Sequence, residues 1–198
     1  TLRQVRYIYI IFLYLATPFL IAGLILRGFR DKTALRCWNE RLAHIPVLTQ
    51  CSTLWVHAVS LGESIAAVPL IHRLLEAYPT HTVVVTTTTL TGSQYVRSTW
   101  GPESRVLPLT MPYDFPLAIE RFLGRVHPEH AIIMETELWP NVLYYLKKLK
   151  IPTVIANARL STRSFHRYKR LRYFFQPLLS TPWIAAQSPR DAAYFAAL

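Results

Sequence analysis

The sequence predicts an α/β domain built on a parallel sheet with helices on both faces. From residue 53 onward, short runs rich in β-branched or aromatic residues alternate with amphipathic helical segments six times. Several of these runs are continuously apolar, which is typical of strands buried on both faces. Polar clusters follow four of them, as expected where a parallel strand ends and the chain turns into a helix.

The first strand and helix carry the residue on which our functional hypothesis depends. Trp55 and Val56 favour a buried strand, and Ser60 and Gly62 end it. Glu63 then begins a helical segment, at the carboxyl edge where open α/β sheets bind ligands. At a helix start it is expected to ionise readily and to accept a proton from a bound hydroxyl. The S-x-x-E spacing is equally a capping box, in which Glu63 binds the Ser60 amide, and the two interpretations are compatible.

The later elements follow the same alternation. A polar turn containing Gly92 separates the second strand from a short helix, and Pro116 and Pro189 stand where helices begin, a position that suits a residue without an N–H. Residues 159–175 are predicted to form one basic, aromatic helix. The remaining predicted strands are 81–87, 105–109, 131–134, 153–156 and 183–186.

The N-terminal residues 7–26 form an uncharged run of twenty residues. As a helix this run would reach about 30 Å, the thickness of a hydrocarbon core. Pro18 and Gly23 are tolerated in membrane helices, and the heavier basic flank on the C-terminal side predicts a cytoplasmic domain. We therefore expect a membrane anchor at 1–30, a connector at 31–52 and the α/β domain at 53–198. A signal peptide, a buried core helix and an interfacial helix are the alternatives.

The composition is that of a globular chain with an excess of positive charge. With 52% hydrophobic and 17% charged residues, disorder is excluded. The formal net charge of +11 favours an anionic partner such as nucleic acid, a phospholipid surface or a phosphorylated ligand. Cys37 and Cys51 form no C-x-x-C pair, so we predict free thiols in a reducing compartment.

The four polar clusters share one predicted rim of the sheet. They lie at 60–63, 87–93, 135–137 and 157–161, and two of them are acidic. A polar cleft is therefore predicted at the carboxyl ends of the strands. The sequence lacks G-x-G-x-x-G, Walker, H-E-x-x-H and G-x-S-x-G motifs, and its three aspartates are scattered. The sequence therefore argues against dinucleotide binding, P-loop nucleotide binding and serine-hydrolase activity, and we expect the reaction to need no metal ion.

Basic residues interleave with aromatic ones in the segment 159–175. This pattern fits a helix resting on an anionic membrane, and it also fits RNA or a solvated basic face over a buried aromatic stripe. The predicted membrane anchor favours lipid. The cations assigned to lipid phosphate are Arg163, Arg167, Lys169, Arg170 and Arg172.

The motifs together resemble those of the Kdo transferases of lipopolysaccharide assembly. These enzymes transfer 3-deoxy-D-manno-octulosonic acid (Kdo) from CMP-Kdo to a lipid A precursor. The resemblance covers residues 53–187 in order and spacing, and E-R-L at 40–42 also matches, although Ala43 stands where the family usually has Gly. The matching strings are W-V-H-A-V-S-L-G-E at 55–63, T-G-S at 91–93, P-Y-D at 112–114, E-T-E-L-W-P-N at 135–141 and N-A-R-L-S at 157–161.

The resemblance implies the N-terminal, acceptor-binding half of a GT-B glycosyltransferase, Rossmann-like, inverting and metal-independent. Glu63 would be the general base that takes a proton from a glucosamine hydroxyl of the lipid. Either Glu135 or Glu137 would position the acceptor or the developing cationic sugar. The implied acceptor-binding residues are Ser60, Gly62, Thr89, Gly92, Glu135, Glu137, Asn157 and Arg159.

The resemblance also implies partners and a location. The donor would be CMP-Kdo, no further cofactor and no nucleic acid are expected, and the place would be the cytoplasmic face of a bacterial inner membrane. Family members are longer and bind the donor with a second Rossmann-like domain, which we expect to be absent from this chain, leaving it inactive alone. The alternative hypotheses are a membrane-anchored module that binds anionic lipid without catalysis and, less favoured, an RNA-binding protein.

Overall fold

A computed structural model describes residues 2–28, 38–48 and 52–198. Within them, all neighbouring strands are parallel, in the order β3-β2-β1-β4-β5-β6. This confirms the predicted α/β class, and the order reverses between β1 and β4, as in a Rossmann-like fold. The strands are β1 (Thr53–His57), β2 (Thr82–Thr87), β3 (Val106–Thr110), β4 (Pro128–Met134), β5 (Thr153–Ala158) and β6 (Trp183–Ala186).

Helices connect the strands and cover both faces of the sheet, as predicted. Successive residues of β1 point to opposite faces, so that Val56 packs with Ile71 and Val96 while Trp55 packs with Phe122 on the other side. The helices are α1 (Leu2–Gly28), α2 (Trp38–Arg41), α3 (Leu61–Ala77), α4 (Leu90–Thr99), α5 (Pro116–Val126), α6 (Pro140–Lys148), α7 (Thr162–Arg170), α8 (Arg172–Leu179) and α9 (Pro189–Ala196). Helices α3 and α4 cover the first face, and α5 to α9 cover the second.

Helix α1 contains the segment predicted to span a membrane, and the structure does not show that span in the part of the chain that it describes. Among the described residues, no helix is long and apolar enough to cross a membrane. Polar groups on one side of α1 bind the domain instead: Arg6 donates to Asn141 Oδ1 at 3.0 Å, and the Tyr9 hydroxyl donates to Asp114 Oδ2 at 2.9 Å. The other side of α1 exposes large apolar side chains, among them Ile8, Ile11, Phe12 and Leu15.

The described part of the predicted connector, residues 38–48, packs against the domain. Ala43 and Ile45 are buried in the core. The Arg41 guanidinium donates to the Thr88 carbonyl at 2.7 Å, which fastens α2 to the turn after β2. Cys37 and Cys51 lie outside the described residues.

The basic segment forms two helices, so the prediction of a single helix is wrong. Leu171 leaves the helical conformation, with φ −104° and ψ 21°, and separates α7 from α8. This change of direction allows Phe165 on α7 and both Phe174 and Phe175 on α8 to enter the core. Leucine is a good helix former, and local propensity therefore gave no sign of the break.

Candidate functional site

The reversal of strand order places the turn after β1 next to the turn after β4. The first turn leads to α3 on one face of the sheet, and the second leads to α6 on the opposite face. Two turns that diverge in this way leave a crevice at the carboxyl ends of the strands, where open α/β sheets bind ligands. Glu63 comes to this crevice from the first turn, and Glu135 and Glu137 come from the second.

Glu63 is held by a reciprocal capping box at the start of α3. Its Oε1 accepts a hydrogen bond from Ser60 Oγ at 2.9 Å, and Ser60 Oγ accepts one from the Glu63 amide at 3.3 Å. Its Oε2 binds the amide of Val59 at 2.9 Å rather than the Ser60 amide that we expected. Only 7% of Glu63 is exposed. The capping box is therefore confirmed, with one partner shifted by a residue.

Burial raises the pKa of Glu63 above its usual range. The hydrogen bonds from Val59 and Ser60 favour the charged form, whereas the negative charges of Glu137 and Glu135 oppose it. The expectation that a helix start makes this carboxyl ionise readily is wrong, because burial and like charge outweigh the favourable donors. A carboxyl of this kind is a stronger base once it is ionised.

Glu135 is engaged by Arg159, which follows β5. The Arg159 Nε lies 3.0 Å from Glu135 Oε2 and donates to it. Glu135, just after β4, has φ 57°, and Asn157, near the end of β5, has φ 54°. Both residues lie in the left-handed region, which non-glycine residues rarely adopt. Asn157 coincides with an irregularity in the pairing of β5 with β6. Such local strain accumulates at binding sites, although it does not identify a ligand.

Glu137 has a different partner. The indole Nε1 of Trp139 donates to Glu137 Oε2 at 2.6 Å. Burial raises the pKa of Glu137, the Trp139 hydrogen bond opposes the rise, and the Glu135 charge adds to it. Glu137 affects the pKa of Glu63 more than Glu135 does. The structure thus distinguishes the two carboxyls, which the sequence did not. Glu135 forms an ion pair with Arg159, whereas the charge of Glu137 has the larger effect on the pKa of Glu63.

The three carboxyls are held by separate partners. Each accepts a hydrogen bond from a different donor: Ser60 for Glu63, Arg159 for Glu135 and Trp139 for Glu137. Within the described residues, no group of three or more His, Cys, Asp or Glu side chains is arranged to hold a metal ion. The predicted independence from metal and cofactor stays a prediction.

The turn after β2 packs directly on the turn that holds Glu63. Thr89 caps α4 by accepting from the Gly92 amide, and its own amide donates to the Val59 carbonyl at 3.2 Å. A Cβ on Gly92 would lie 2.9 Å from Thr89 Oγ1 and 3.2 Å from the Ser60 carbonyl carbon. Thr89 and Gly92 therefore support the turn at residues 59–60, which precedes Glu63, through packing and a backbone hydrogen bond. Gly62 is different, because a Cβ there would meet only Ser60 Oγ, at 3.9 Å.

Helix α7 presents a basic cavity beside the crevice. Arg163, His166, Arg167 and Arg170 line a space of about 450 Å³. Tyr168 on the same helix has its pKa raised mainly by burial; the Arg167 charge opposes the rise and the Glu137 charge adds to it. Of the five cations predicted to bind lipid phosphate, three line this cavity. Lys169 lies over the Phe165 ring and Arg172 over the Tyr173 ring.

Three further residues were not assigned from sequence. His57 ends β1 and is 1% exposed; burial lowers its pKa to about 4, and its Nε2 has no hydrogen-bond partner. Asp114 accepts from the amides of Asn141 and Val142 and caps α6; burial raises its pKa to about 7. Trp139 precedes α6, and its ring contacts the ring of His57. All three lie inside motif strings, but only contacts between distant segments distinguish their roles.

Comparisons with known proteins give a consistent family. The model of the 3-deoxy-D-manno-octulosonic-acid transferase (kdotransferase) family matches residues 36–198. The chain is 44% identical over 146 residues to the 3-deoxy-D-manno-octulosonic acid transferase of Haemophilus influenzae, covering 73% of this chain and 34% of the relative. It is 43% identical to a probable mitochondrial 3-deoxy-D-manno-octulosonic acid transferase of Arabidopsis thaliana, covering 66% and 29%. The Bordetella pertussis relative is 37% identical, covering 71% and 33%. The chain thus spans about a third of the length of these curated relatives.

Proposed function

The chain belongs to the Kdo transferase family, and on that premise we propose that it forms the acceptor-binding part of an enzyme that transfers Kdo from CMP-Kdo to a lipid A precursor. The observation that supports this is Glu63, a nearly buried carboxyl at the crevice between β1 and β4. Its pKa is raised by burial and by two nearby carboxyls. A titratable group perturbed in this way within a cleft is suited to act as a general base.

In the proposed reaction, a hydroxyl of the acceptor attacks the anomeric carbon of Kdo, and Glu63 takes the hydroxyl proton. A bond forms between the acceptor oxygen and the anomeric carbon as the bond from that carbon to the CMP phosphate oxygen breaks. CMP leaves with the bonding electrons, and attack from the opposite side inverts the anomeric carbon. In this proposal a second Rossmann-like domain binds the donor, as the resemblance implies, and no metal takes part.

The surroundings of Glu63 fit this role. Ser60 and Val59 fix the two carboxyl oxygens, so the base does not have to be ordered when the acceptor binds. The charge of Glu137 keeps the proton affinity of Glu63 high. Glu135 is neutralised by Arg159 and suits contact with acceptor hydroxyls more than proton transfer. Gly62, exposed and with open space around it, leaves room for the sugar.

The α7 cavity supports a phosphorylated acceptor. Three arginines and His166 surround it, and guanidinium groups bind phosphate oxygens in pairs. Because α7 follows β5, the strand next to β4, we propose that a phosphate in the cavity and a hydroxyl at Glu63 belong to one sugar-phosphate head group. We assign Arg163, Arg167 and Arg170 to the lipid A precursor and Lys169 and Arg172 to the surrounding anionic lipid.

A second candidate function is an anionic-lipid-binding module without catalysis. The exposed apolar side of α1, combined with the basic cavity of α7, favours it. Both candidates place the protein at a membrane surface, and we propose the cytoplasmic face of the bacterial inner membrane. They differ in whether Glu63 is needed for turnover or is only part of a binding surface.

The deciding experiment is Glu63→Gln in the intact gene product, assayed with CMP-Kdo and a lipid A precursor. Gln keeps an acceptor for the Val59 amide but cannot take a proton, so transfer is expected to fall by about 10²–10⁴-fold while acceptor binding is retained. Glu76→Gln is the matched control, because Glu76 lies on the same helix and pairs only with exposed Arg73. Turnover by Glu63→Gln at the level of Glu76→Gln would exclude the base role. Acceptor binding without any transfer by the wild-type gene product would instead favour the binding module.

A further inference from the structure

Trp139 links the candidate site to the core of the domain. It occupies the position before α6, and its Nε1 donates to Glu137 Oε2 at 2.6 Å. Its ring meets the ring of His57 edge to face, with centroids 5.5 Å apart and planes at 80°. One aromatic side chain therefore contacts the carboxyl of the β4 turn and the last residue of β1.

His57 is itself fixed. Its Nδ1 lies 2.9 Å from Thr86 Oγ1, and the same hydroxyl accepts from Trp55 Nε1 at 2.8 Å. Trp55 and Thr86 are fully buried and His57 nearly so. Because His57 is neutral at physiological pH, it supports Trp139 through ring contact without adding charge. A continuous line of contacts thus runs from the core through His57 to the indole of Trp139.

We propose that Trp139 is a positioning residue for transfer, whose indole N–H holds the Glu137 carboxylate in place and in its ionised form opposite Glu63. This inference rests on the proposed function of Glu63. A charge-assisted hydrogen bond of this length is among the stronger ones in proteins, and it opposes both burial and the repulsion from Glu135. With Oε2 bound to the indole, Oε1 of Glu137 remains available to the acceptor.

The consequence for the reaction concerns the proton affinity of the base. An ionised Glu137 raises the pKa of Glu63, whereas a protonated Glu137 does not. Removing the indole N–H raises the pKa of Glu137, so at a given pH less of its negative charge acts on Glu63. The Glu63 carboxyl then loses its proton at lower pH and becomes a weaker base.

The test uses Trp139→Phe, which retains a ring for His57 and removes the donor. In the intact gene product we expect kcat to fall about tenfold with KM for the acceptor little changed, and the acid limb of the pH–rate profile to move down by about 0.5 to 1 unit. Glu137→Gln is expected to give the same shift, and the double variant no further one. Trp100→Phe, which alters a tryptophan packed on His72, is the matched control.

A wild-type pH profile for Trp139→Phe, or effects of the two substitutions that simply add, would overturn the proposal. If Trp139→Phe does not fold, the fluorescence of Trp139 decides, because the contact requires its emission to titrate with Glu137 in the wild type and not in Glu137→Gln. Emission that titrates identically in both would also overturn it. The outcome is separate from that of the base role, because the emission of the wild-type protein reports the Trp139–Glu137 hydrogen bond whether or not Glu63→Gln retains turnover.

Discussion

Two capping boxes of the same type stand at opposite sides of the site and behave differently. Ser60 and Glu63 begin α3, and Ser188 and Asp191 begin α9; in each pair the serine hydroxyl donates to the carboxylate and accepts from its amide. Both carboxyls are nearly buried. Yet the pKa of Glu63 is raised, whereas hydrogen bonds from the Leu160 amide and Ser188 hold the pKa of Asp191 below its usual range.

The difference arises from the neighbours rather than from the motif. Asp191 also receives the Leu160 amide at 2.8 Å and lies near Arg190 and Arg159, so its charge is stabilised. Burial destabilises the charge of Glu63, and the nearby charges of Glu137 and Glu135 add to this effect. One carboxyl therefore has its charge stabilised within the fold, and the other is the general base in our proposal. A capping box alone distinguishes neither role.

The largest expected effect concerns how stability depends on pH. Asp191 has a lowered pKa. Its ionised form therefore stabilises the folded state above the unfolded-state pKa, and this stabilisation is lost as the pH falls through the folded-state pKa. Glu63 has a raised pKa, so its contribution to the stability of the fold declines as the pH rises. Asp191→Asn is therefore expected to lower the free energy of unfolding at pH 7.5 and to matter much less near pH 3. Glu63→Gln is expected to lower the free energy of unfolding most in acid and least at pH 7.5. Urea unfolding at the two pH values measures both.

If Asp191→Asn and Glu63→Gln changed stability in parallel across the pH range, the contrast between the two carboxyls would be wrong. Glu76→Gln serves as the reference, because Glu76 is exposed and paired only at the surface. Its effect is expected to be small at both pH values.

Much of the fold could be predicted because it depends on local pattern. The six strands, the parallel sheet and the capping box of Glu63 all follow from alternation and from turn residues. The errors arose where distant segments meet. Tyr9 binds Asp114 across 105 residues, and this contact makes part of an uncharged run an element of the domain. The raised pKa of Glu63 likewise depends on burial by the packed fold and, in smaller part, on the charge of Glu137, which follows a different strand.

The candidate site divides in the same way. Its residues were proposed from their positions after strands. The different partners of Glu135 and Glu137 became clear only in the folded structure. Arg159 and Trp139 lie 24 and 2 residues from their respective partners, and nothing in the spacing indicates which carboxyl each one binds. Helix propensity also did not predict the break at Leu171, which separates the cations of α7 from Arg172.

A moderate effect is expected from removing each serine cap. Ser60→Ala and Ser188→Ala should each lower the free energy of unfolding by about 1 kcal/mol, because each helix loses a side-chain acceptor at its first turn. Only Ser60→Ala should change the enzyme, moving the acid limb of the pH–rate profile upward, since Glu63 loses a donor that favours its charged form. Thermal unfolding and pH profiles of the two variants measure these effects. An equal shift with Ser188→Ala would show that the profile does not report Glu63.

The smallest expected effect tests whether Arg159 shields Glu63 from Glu135. The pair is partly exposed, with 58% of the Arg159 side chain accessible, so solvent weakens its influence. Arg159→Gln leaves the Glu135 charge unbalanced and is expected to raise the acid limb by about 0.2 to 0.5 unit, whereas Glu135→Gln lowers it by a similar amount. The double variant should follow Glu135→Gln alone, because Arg159 then has no carboxylate to neutralise. A downward shift with Arg159→Gln would mean that the crevice depends on the cation itself, as expected if Arg159 mainly binds acceptor phosphate.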